Sequence, residues 1–263
     1  RANGRAVIEA PLAFEQGRAR MDLDTLRASL PAKARMVFLC SPHNPGGWVW
    51  PAEELRALAD FCLERDLILV SDEIWRDLVF PGATHTPTAR AAPEIAPRLV
   101  TCAAPSKTFN IAGLQAAEVV IADPDLRARY RAAADGAHAM SGNVMGMLAA
   151  EAAYSGGDAW LDALIPYLRK NAERFHAGVA EAVPGARPTP LDATYLSWVD
   201  FSAVDLPPEE VARRIRDEAR IGVNAGPSFG AGGAGFARFN IACPRTTVEA
   251  ALERLSEAFA DLR

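Results

Sequence analysis

Short apolar runs alternate with helical patterns through the first half of the chain. Short apolar runs occur at residues 36–40, 67–70 and 119–121, and a further strand is expected at 98–102, which contains the mostly apolar run Leu99-Val100-Thr101-Cys102. Runs of this length are typical of strands that are buried on both faces of a sheet. Pro51 and the acidic residues after it predict a helix between the first two runs. This order of strand, helix and strand predicts an α/β domain with a largely parallel sheet.

The second half of the chain has a different pattern. Helical periodicity covers residues 125–138 and 143–154, and a longer helical pattern runs from Asp158 to about residue 182, with a kink expected at Pro166. Strands at 195–199 and 236–242, with helices that begin at Pro207 and at residue 246, then predict a smaller α+β module. We place the domain boundary at the Gly156-Gly157 break. The prediction is a large domain at residues 1–157, followed by a linking helix and a small C-terminal domain at residues 158–263.

Composition narrows the possible functions. The 263 residues are 50% apolar and 23% charged, as expected for a globular protein with a substantial core. The net charge of −5 argues against nucleic acid or an acidic membrane as a partner. No apolar run has transmembrane length. Four widely spaced cysteines fit reduced thiols in a cytoplasmic protein, and four scattered histidines do not suggest a metal site.

Three polar side chains follow three of the predicted strands. Asn44 follows the run at 36–40, Asp72 follows the run at 67–70, and Lys107 follows the run at 98–102. Because ligands bind at the carboxyl ends of parallel strands, we expect the three to converge on one crevice. An amine for a Schiff base, a carboxylate for a pyridine nitrogen and an amide for a phenolate oxygen suit pyridoxal phosphate. The alternatives are a lysine at a strand end, an aspartate that caps a helix and an asparagine in a turn.

Four segments carry a resemblance to a known family. They are Ser41–Gly47, Ser71–Leu78, Ala104–Leu114 and Arg238–Arg245, with smaller matches at His85–Thr88, Trp160-Leu161 and Tyr167-Leu168. In this order the segments resemble the fold-type-I pyridoxal-phosphate enzymes of the class I/II aminotransferase superfamily. More narrowly, the chain is similar to the cystathionine β-lyase branch typified by the MalY and PatB proteins. The fold implied is that of the pyridoxal-phosphate-dependent transferases.

The resemblance assigns a role to each matching residue. Lys107 would form the Schiff base with the cofactor and then remove the Cα proton of the substrate. Asp72 would pair with the pyridine nitrogen, and Asn44 would contact the phenolate oxygen. Arg238 would bind the substrate α-carboxylate with a bidentate fork, unless it is a surface arginine of a strand. Ser106 would contribute a hydroxyl near the cofactor phosphate, unless it bonds local backbone.

Two other residues in these motifs have more modest expected roles. His43 is expected to be structural rather than a catalytic base. Arg245 is expected to be a loop charge or the partner in a salt bridge.

Three departures from the family pattern bear on the reaction. Trp75 replaces the usual Tyr or His; its indole can donate to the phenolate oxygen but cannot relay a proton. Ala104 and Gln115 stand where aminotransferases usually have a hydroxyl and an arginine for the phosphate, which favours the lyase branch. Gly46 replaces the usual Thr.

The resemblance implies a carbon–sulfur lyase that is a homodimer in the cytoplasm. Its substrate would be an amino acid, either cystathionine or another cysteine S-conjugate, cleaved to pyruvate, ammonia and a thiol. An aminotransferase with the same residues is the first alternative, and a non-enzymatic regulatory module is the second. The family's phosphate-binding turn and ring-stacking aromatic would precede Arg1, and the first residues lack a Met. We therefore expect the large domain to be incomplete at its N-terminus.

Overall fold

The computed structural model of the chain describes residues 3–15, 17–139 and 142–263. The strands are β1 (Ala13–Glu15), β2 (Arg18–Arg20), β3 (Met36–Cys40), β4 (Ile68–Asp72), β5 (Leu99–Ala103), β6 (Glu118–Val120), β7 (Arg187–Pro188), β8 (Leu196–Asp200), β9 (Asn224–Ala225) and β10 (Phe236–Asn240). The α-helices are α1 (Leu23–Ser29), α2 (Ala52–Glu64), α3 (Thr88–Ala91), α4 (Pro124–Gly136), α5 (Val144–Gly156), α6 (Asp158–Ala182), α7 (Pro208–Arg213) and α8 (Arg245–Ala258).

The first sheet contains the four strands that the apolar runs predict. Its order is β3-β4-β5-β6, with β3, β4 and β5 parallel and β6 antiparallel to β5. Helix α2 covers this sheet through fully buried side chains such as Leu55 and Ala59. The register pairs Cys40 with Asp72 and Asp72 with Cys102. The carboxyl ends of the three parallel strands therefore lie side by side, as the sequence predicts.

The second sheet is antiparallel, in the order β7-β8-β10-β9. Helices α6 and α8 pack together beside it, and the shared core includes Phe175 of α6, Leu255 of α8 and Phe239 of β10. Helix α6 begins at Asp158 and continues through Pro166 to Ala182 as one helix. This α+β arrangement matches the module that the sequence pattern predicts for the C-terminal part.

Backbone hydrogen bonds join the two parts of the chain. The carbonyl oxygen of Gly47 accepts from the amides of Asp192 (2.7 Å) and Ala193 (2.8 Å), and the amide of Thr194 donates to Leu78 at 2.7 Å. Gly47 has a φ of +75°, and a Cβ there would lie 2.0 Å from the side chain of Leu191. Only glycine allows this close approach. The contact fixes the loop after β3 against the segment that leads into β8.

Most of the predicted elements are confirmed, and the errors lie at their ends. The strand expected at 236–242 ends at Asn240, whose side-chain oxygen accepts from the amide of Ala242 and so begins a turn. Helix α8 ends at Ala258, before a short 3₁₀ turn at Ala260–Leu262. The hairpin of β1 and β2 was not expected, because two strands of three residues are too short to show a period.

No helix in the three described ranges is both long enough and apolar enough to cross a bilayer. All four cysteines are free thiols, as the sequence predicts. The proposed division at residues 157 and 158 coincides with the start of α6 but remains a prediction.

Candidate active site

The side chains of Asp72 and Lys107 are brought together at the carboxyl end of the first sheet. Asp72 ends β4, and Lys107 lies four residues after β5. Burial raises the pKa of the Asp72 carboxyl, while a hydrogen bond from the amide of Ile74 (3.3 Å) and the charge of Lys107 oppose that rise. Asp72 is thus a partly desolvated carboxylate that gains stability from a nearby cation.

The loop that carries Lys107 is held on both sides. The amide of Phe109 donates to Pro105 at 2.9 Å, and the amide of Ile111 donates to Ser106 at 3.1 Å. The Thr108 hydroxyl donates to Asp77 at 3.0 Å. Trp160 at the start of α6 donates its Nε1 hydrogen to the carbonyl of Thr108 at 3.3 Å, which gives the Trp160 motif a structural role.

Arg238 and Asn44 meet across the two parts of the chain. Arg238 Nη1 donates to Asn44 Oδ1 at 2.5 Å, and Nη2 donates to Asn224 Oδ1 at 2.7 Å. The guanidinium carbon also lies 4.9 Å from the centroid of the Phe229 ring. Burial lowers the pKa of Arg238. This arginine therefore lies beside Asn44 at the seam, the contact region between the first and second sheets, rather than on an open strand surface.

The guanidinium of Arg238 retains unused hydrogen-bonding capacity. Its Nε is buried and has no acceptor among the described residues. A buried donor without an acceptor is costly, and a carboxylate would supply the missing acceptor. This geometry suits the carboxylate-binding role that the resemblance implies.

Trp75 lies between the lysine and the second sheet. Its side chain is buried, and Lys107 Nζ lies 5.6 Å from the centroid of its ring. The ring of Tyr195 meets the indole edge-on, with centroids 4.8 Å apart. The sequence did not single out Tyr195, because an aromatic residue in a predicted strand is usual for a core position. Its proximity to Trp75 follows only from the docking of the two sheets.

The second acidic residue of the Asp72-Glu73 pair has a structural role. Glu73 is 1% exposed and accepts from the amide of Thr88 (3.0 Å) and the hydroxyl of Ser71 (2.9 Å), with His85 Nε2 at 3.3 Å. Burial alone would raise the pKa of Glu73, but these hydrogen bonds outweigh it and the pKa is lowered. The His85–Thr88 motif therefore anchors the chain that follows Asp72.

His43 is structural, as the sequence predicts. Its ring stacks on Trp48 with centroids 4.7 Å apart, and Nδ1 accepts from the amide of Gly46 at 3.3 Å. Burial lowers the pKa of His43 to about 4. The Trp48 ring also explains why Gly46 departs from the usual Thr, since a Cβ at Gly46 would lie 2.0 Å from that ring.

Arg245 makes no salt bridge with any residue that the structure describes, and it is not an isolated loop charge. Its Nε donates to Asn171 Oδ1 at 2.6 Å, and its amide donates to the Tyr167 hydroxyl at 2.8 Å. Asn171 is fully buried in α6 and also donates to the carbonyl of Ile241 at 2.9 Å. The expectation of a salt bridge was wrong because a buried amide, not a carboxylate, lies opposite the arginine. The motif fixes the end of β10 against α6.

Comparisons with known proteins identify the family. A model of the family described as aminotransferase class I and II matches residues 1–255. The chain belongs to the aminotransferase class I and II family. Cystathionine beta-lyase PatB of Bacillus subtilis is 40% identical over 97% of this chain and 66% of its own length. Protein MalY of Escherichia coli is 30% identical over 99% of this chain and 67% of its own length.

A solved structure supports the same assignment and the fold. Cystalysin from Treponema denticola, whose crystal structure contains pyridoxal 5′-phosphate, superposes with a TM-score of 0.94 at 35% identity. The match covers 98% of this chain and 66% of cystalysin. The chain thus spans about two thirds of the length of these relatives. The predicted membership of the MalY and PatB branch and the predicted α/β transferase fold are confirmed.

The side chains of the site fit the cofactor that the sequence predicts. Because Asn44 Oδ1 accepts from Arg238, its Nδ2 hydrogens remain as donors for a phenolate oxygen. Asp72 has the charge that a protonated pyridine nitrogen requires, and Lys107 is close enough to influence it. Ser106 lies half-buried beside the lysine. The roles assigned to these residues and to Trp75 remain proposals.

Proposed function

We propose that the chain is part of a pyridoxal-phosphate-dependent carbon–sulfur lyase that cleaves cystathionine or related cysteine S-conjugates. The observation that carries this proposal is the placement of Lys107, Asp72 and Asn44 at the carboxyl ends of neighbouring strands, with Arg238 bonded to Asn44. The similarity to proteins described as cystathionine beta-lyases supports the choice of reaction.

Each side chain has one task in the proposed reaction. Bound pyridoxal phosphate would supply the electron sink that stabilises negative charge at the substrate Cα. Lys107 would hold the cofactor aldehyde until substrate arrives, and its amine would then take the Cα proton. Asp72 would keep the pyridine nitrogen protonated by ion pairing. Arg238 would bind the α-carboxylate and so orient the Cα–H bond toward Lys107.

Three further side chains would contact the cofactor. The Asn44 amide would donate to the phenolate oxygen while its own oxygen accepts from Arg238. Substrate binding at Arg238 would therefore be coupled to the electronic state of the ring. Ser106 would donate to the phosphate, and the Trp75 indole would pack against the lysine and donate to the ring oxygen.

Elimination would follow proton removal. With the Cα proton on Lys107, the Cβ–S bond would break with its electron pair on sulfur, and hydrolysis of the remaining three-carbon fragment by one water would give pyruvate and ammonia beside the thiol. The absence of an arginine at Gln115 supports this branch over aminotransferases.

An aminotransferase is the second candidate, because the family description includes it and the same residues serve both reactions. The two differ in whether a keto acid is needed. The full-length holoenzyme is incubated with cystathionine, with and without a keto acid, and pyruvate and thiol are measured. Thiol release without a keto acid supports the lyase; strict dependence on the keto acid would contradict it. The Lys107→Ala variant is the control for uncatalysed release.

We also propose that the full-length protein is a homodimer in the cytoplasm with its sites at the subunit interface. The free thiols are compatible with that compartment. Sedimentation measures the oligomeric state and an assay measures the activity. A protein that sediments as a monomer and is fully active would contradict the dimer.

A further inference from the structure

Tyr195 occupies a position in the site to which the family motifs assign no role. It comes directly before β8 and carries its ring toward Trp75, with ring centroids 4.8 Å apart. Trp75 in turn lies 5.6 Å from Lys107 Nζ. The tyrosine ring and the lysine amine therefore both lie close to the Trp75 ring.

The backbone on both sides of Tyr195 is held firmly. The Thr194 amide donates to Leu78 at 2.7 Å, and the Tyr195 carbonyl accepts from the Ile241 amide at 3.0 Å. The Thr194 hydroxyl accepts from the amide of Leu196 at 3.0 Å, and Thr194 itself has a φ of +71°. These bonds come from both parts of the chain. The backbone that carries the Tyr195 ring is thus fixed between the two parts of the chain.

The Tyr195 side chain is only partly buried, and its hydroxyl is not among the buried polar atoms that lack a partner in the described residues. The hydroxyl is therefore open to solvent and can meet a bound ligand. Burial raises the pKa of this hydroxyl, while the charge of Arg238 opposes the rise, so the hydroxyl is protonated and can donate. Arg238 is a second donor, and its buried Nε lacks an acceptor among the described residues. A solvent-accessible hydroxyl donor and a cationic donor are both matched by an anionic acceptor.

We infer that the Tyr195 hydroxyl binds the substrate α-carboxylate together with Arg238, and that Trp75 is the positioning residue that orients the tyrosine ring. This inference rests on the proposed function, because it names a second contact to the same substrate group. It adds no covalent step. It also gives the unusual Trp75 a reason, since a smaller His ring would leave the edge of Tyr195 unsupported.

The test separates carboxylate binding from other roles of the residue. Three full-length holoenzymes are prepared: the native protein, Tyr195→Phe and Tyr130→Phe. Tyr130 is exposed on α4, so Tyr130→Phe is the matched control. Each is titrated with glycine, which has no Cβ and so cannot undergo elimination, and with glycinamide, which lacks the carboxylate. Binding is followed by the absorbance of the cofactor.

Tyr195→Phe is expected to weaken glycine binding roughly 10- to 100-fold, with glycinamide binding unchanged within about twofold and Tyr130→Phe equal to native. The melting temperature of Tyr195→Phe should equal that of the native protein, because the substitution removes a solvent-accessible hydroxyl and leaves the ring in place. Trp75→Leu should weaken glycine binding in the same direction.

Three results would overturn the inference. Unchanged glycine binding in Tyr195→Phe removes the carboxylate contact. Equal weakening for glycine and glycinamide assigns the hydroxyl to a different group. A native protein that shows no lysine-bound cofactor absorbance refutes the proposed function itself and this inference with it, and it is recognised before any ligand is added.

Discussion

Asp72 illustrates what a single position contributes to the account. Its carboxyl is half-buried, and its pKa is raised by desolvation and lowered by Lys107 and the Ile74 amide. A cationic group close to it would relieve the cost of burial. The sequence predicts the position of Asp72 in the site, because this residue comes just after a run that is typical of a buried strand. The sequence could not predict a role for Tyr195. Trp75 and Lys107 lie more than eighty residues before it along the chain, and Arg238 lies on another strand.

Replacing Asp72 with Asn should weaken binding of pyridoxal phosphate to the full-length protein by roughly 10- to 100-fold, because a charged hydrogen bond becomes a neutral one. Fluorescence titration of the apoprotein measures this. The exposed Asp205→Asn variant is the matched control and should bind as the native protein does. Equal affinities for Asp72→Asn and native protein would contradict the assigned role.

His43 should make stability depend on pH. Its pKa is about 4 in the folded protein against 6.5 for an ordinary histidine. The unfolded chain therefore binds a proton first, and stability present above about pH 6.5 is lost as the pH falls toward about 4, in total about 3 kcal/mol.

The check is the free energy of unfolding by urea between pH 7.5 and pH 5. Over this range, His43→Gln should lose about 2 kcal/mol less than the native protein. The exposed His138→Gln variant should follow the native curve. Parallel curves for His43→Gln and native protein would show that His43 is not buried as a neutral ring.

At the scale of elements, the loop between β3 and α2 shows how sequence and structure inform each other. Its turn residues are evident in the sequence, but the substitution of Thr by Gly46 has no explanation there. The structure supplies one, because the Trp48 ring, stacked on His43, fills the space beside Gly46. The strands of the first sheet were predictable since each is a buried apolar run. The short hairpin of β1 and β2 was not, because it depends on packing rather than on a period.

Restoring the usual residue with Gly46→Thr should destabilise the protein by about 1–3 kcal/mol, because the Trp48 ring must move out of its place. Chemical denaturation measures the loss. Gly156→Ala, at a glycine with open space around its missing Cβ, is the control and should change stability by no more than about 0.5 kcal/mol. A Gly46→Thr protein as stable as native would show that the ring is free to shift.

At the scale of the whole molecule, the seam between the two sheets determines the site. Lys107 and Asp72 come from the first sheet, while Arg238 comes from the second, and backbone bonds at Gly47 hold the two together. Arg18 also bonds Asp192 at the seam through two contacts of 2.7 and 2.6 Å. The motifs indicate which residues take part. Their mutual placement depends on docking, which no local pattern encodes.

The free energy of unfolding should depend more on the backbone contacts at the seam than on the Arg18–Asp192 ion pair. Gly47→Ala is expected to cost about 2 kcal/mol, because φ is +75° and a Cβ would meet Leu191. Asp192→Asn should cost less than about 1 kcal/mol, since Arg18 is about half exposed and the pair is screened by solvent. Urea unfolding of both variants decides the order, and a larger loss for Asp192→Asn would contradict it.

The central claim is that Lys107 is the residue that binds pyridoxal phosphate covalently. The most direct measurement is reduction of the full-length holoenzyme with borohydride, followed by peptide mapping by mass spectrometry. The account predicts a cofactor adduct on the peptide that contains Lys107 and none on Lys33 or Lys170, with no adduct in Lys107→Ala. An adduct on another lysine, or an unmodified Lys107 in cofactor-saturated protein, would contradict it.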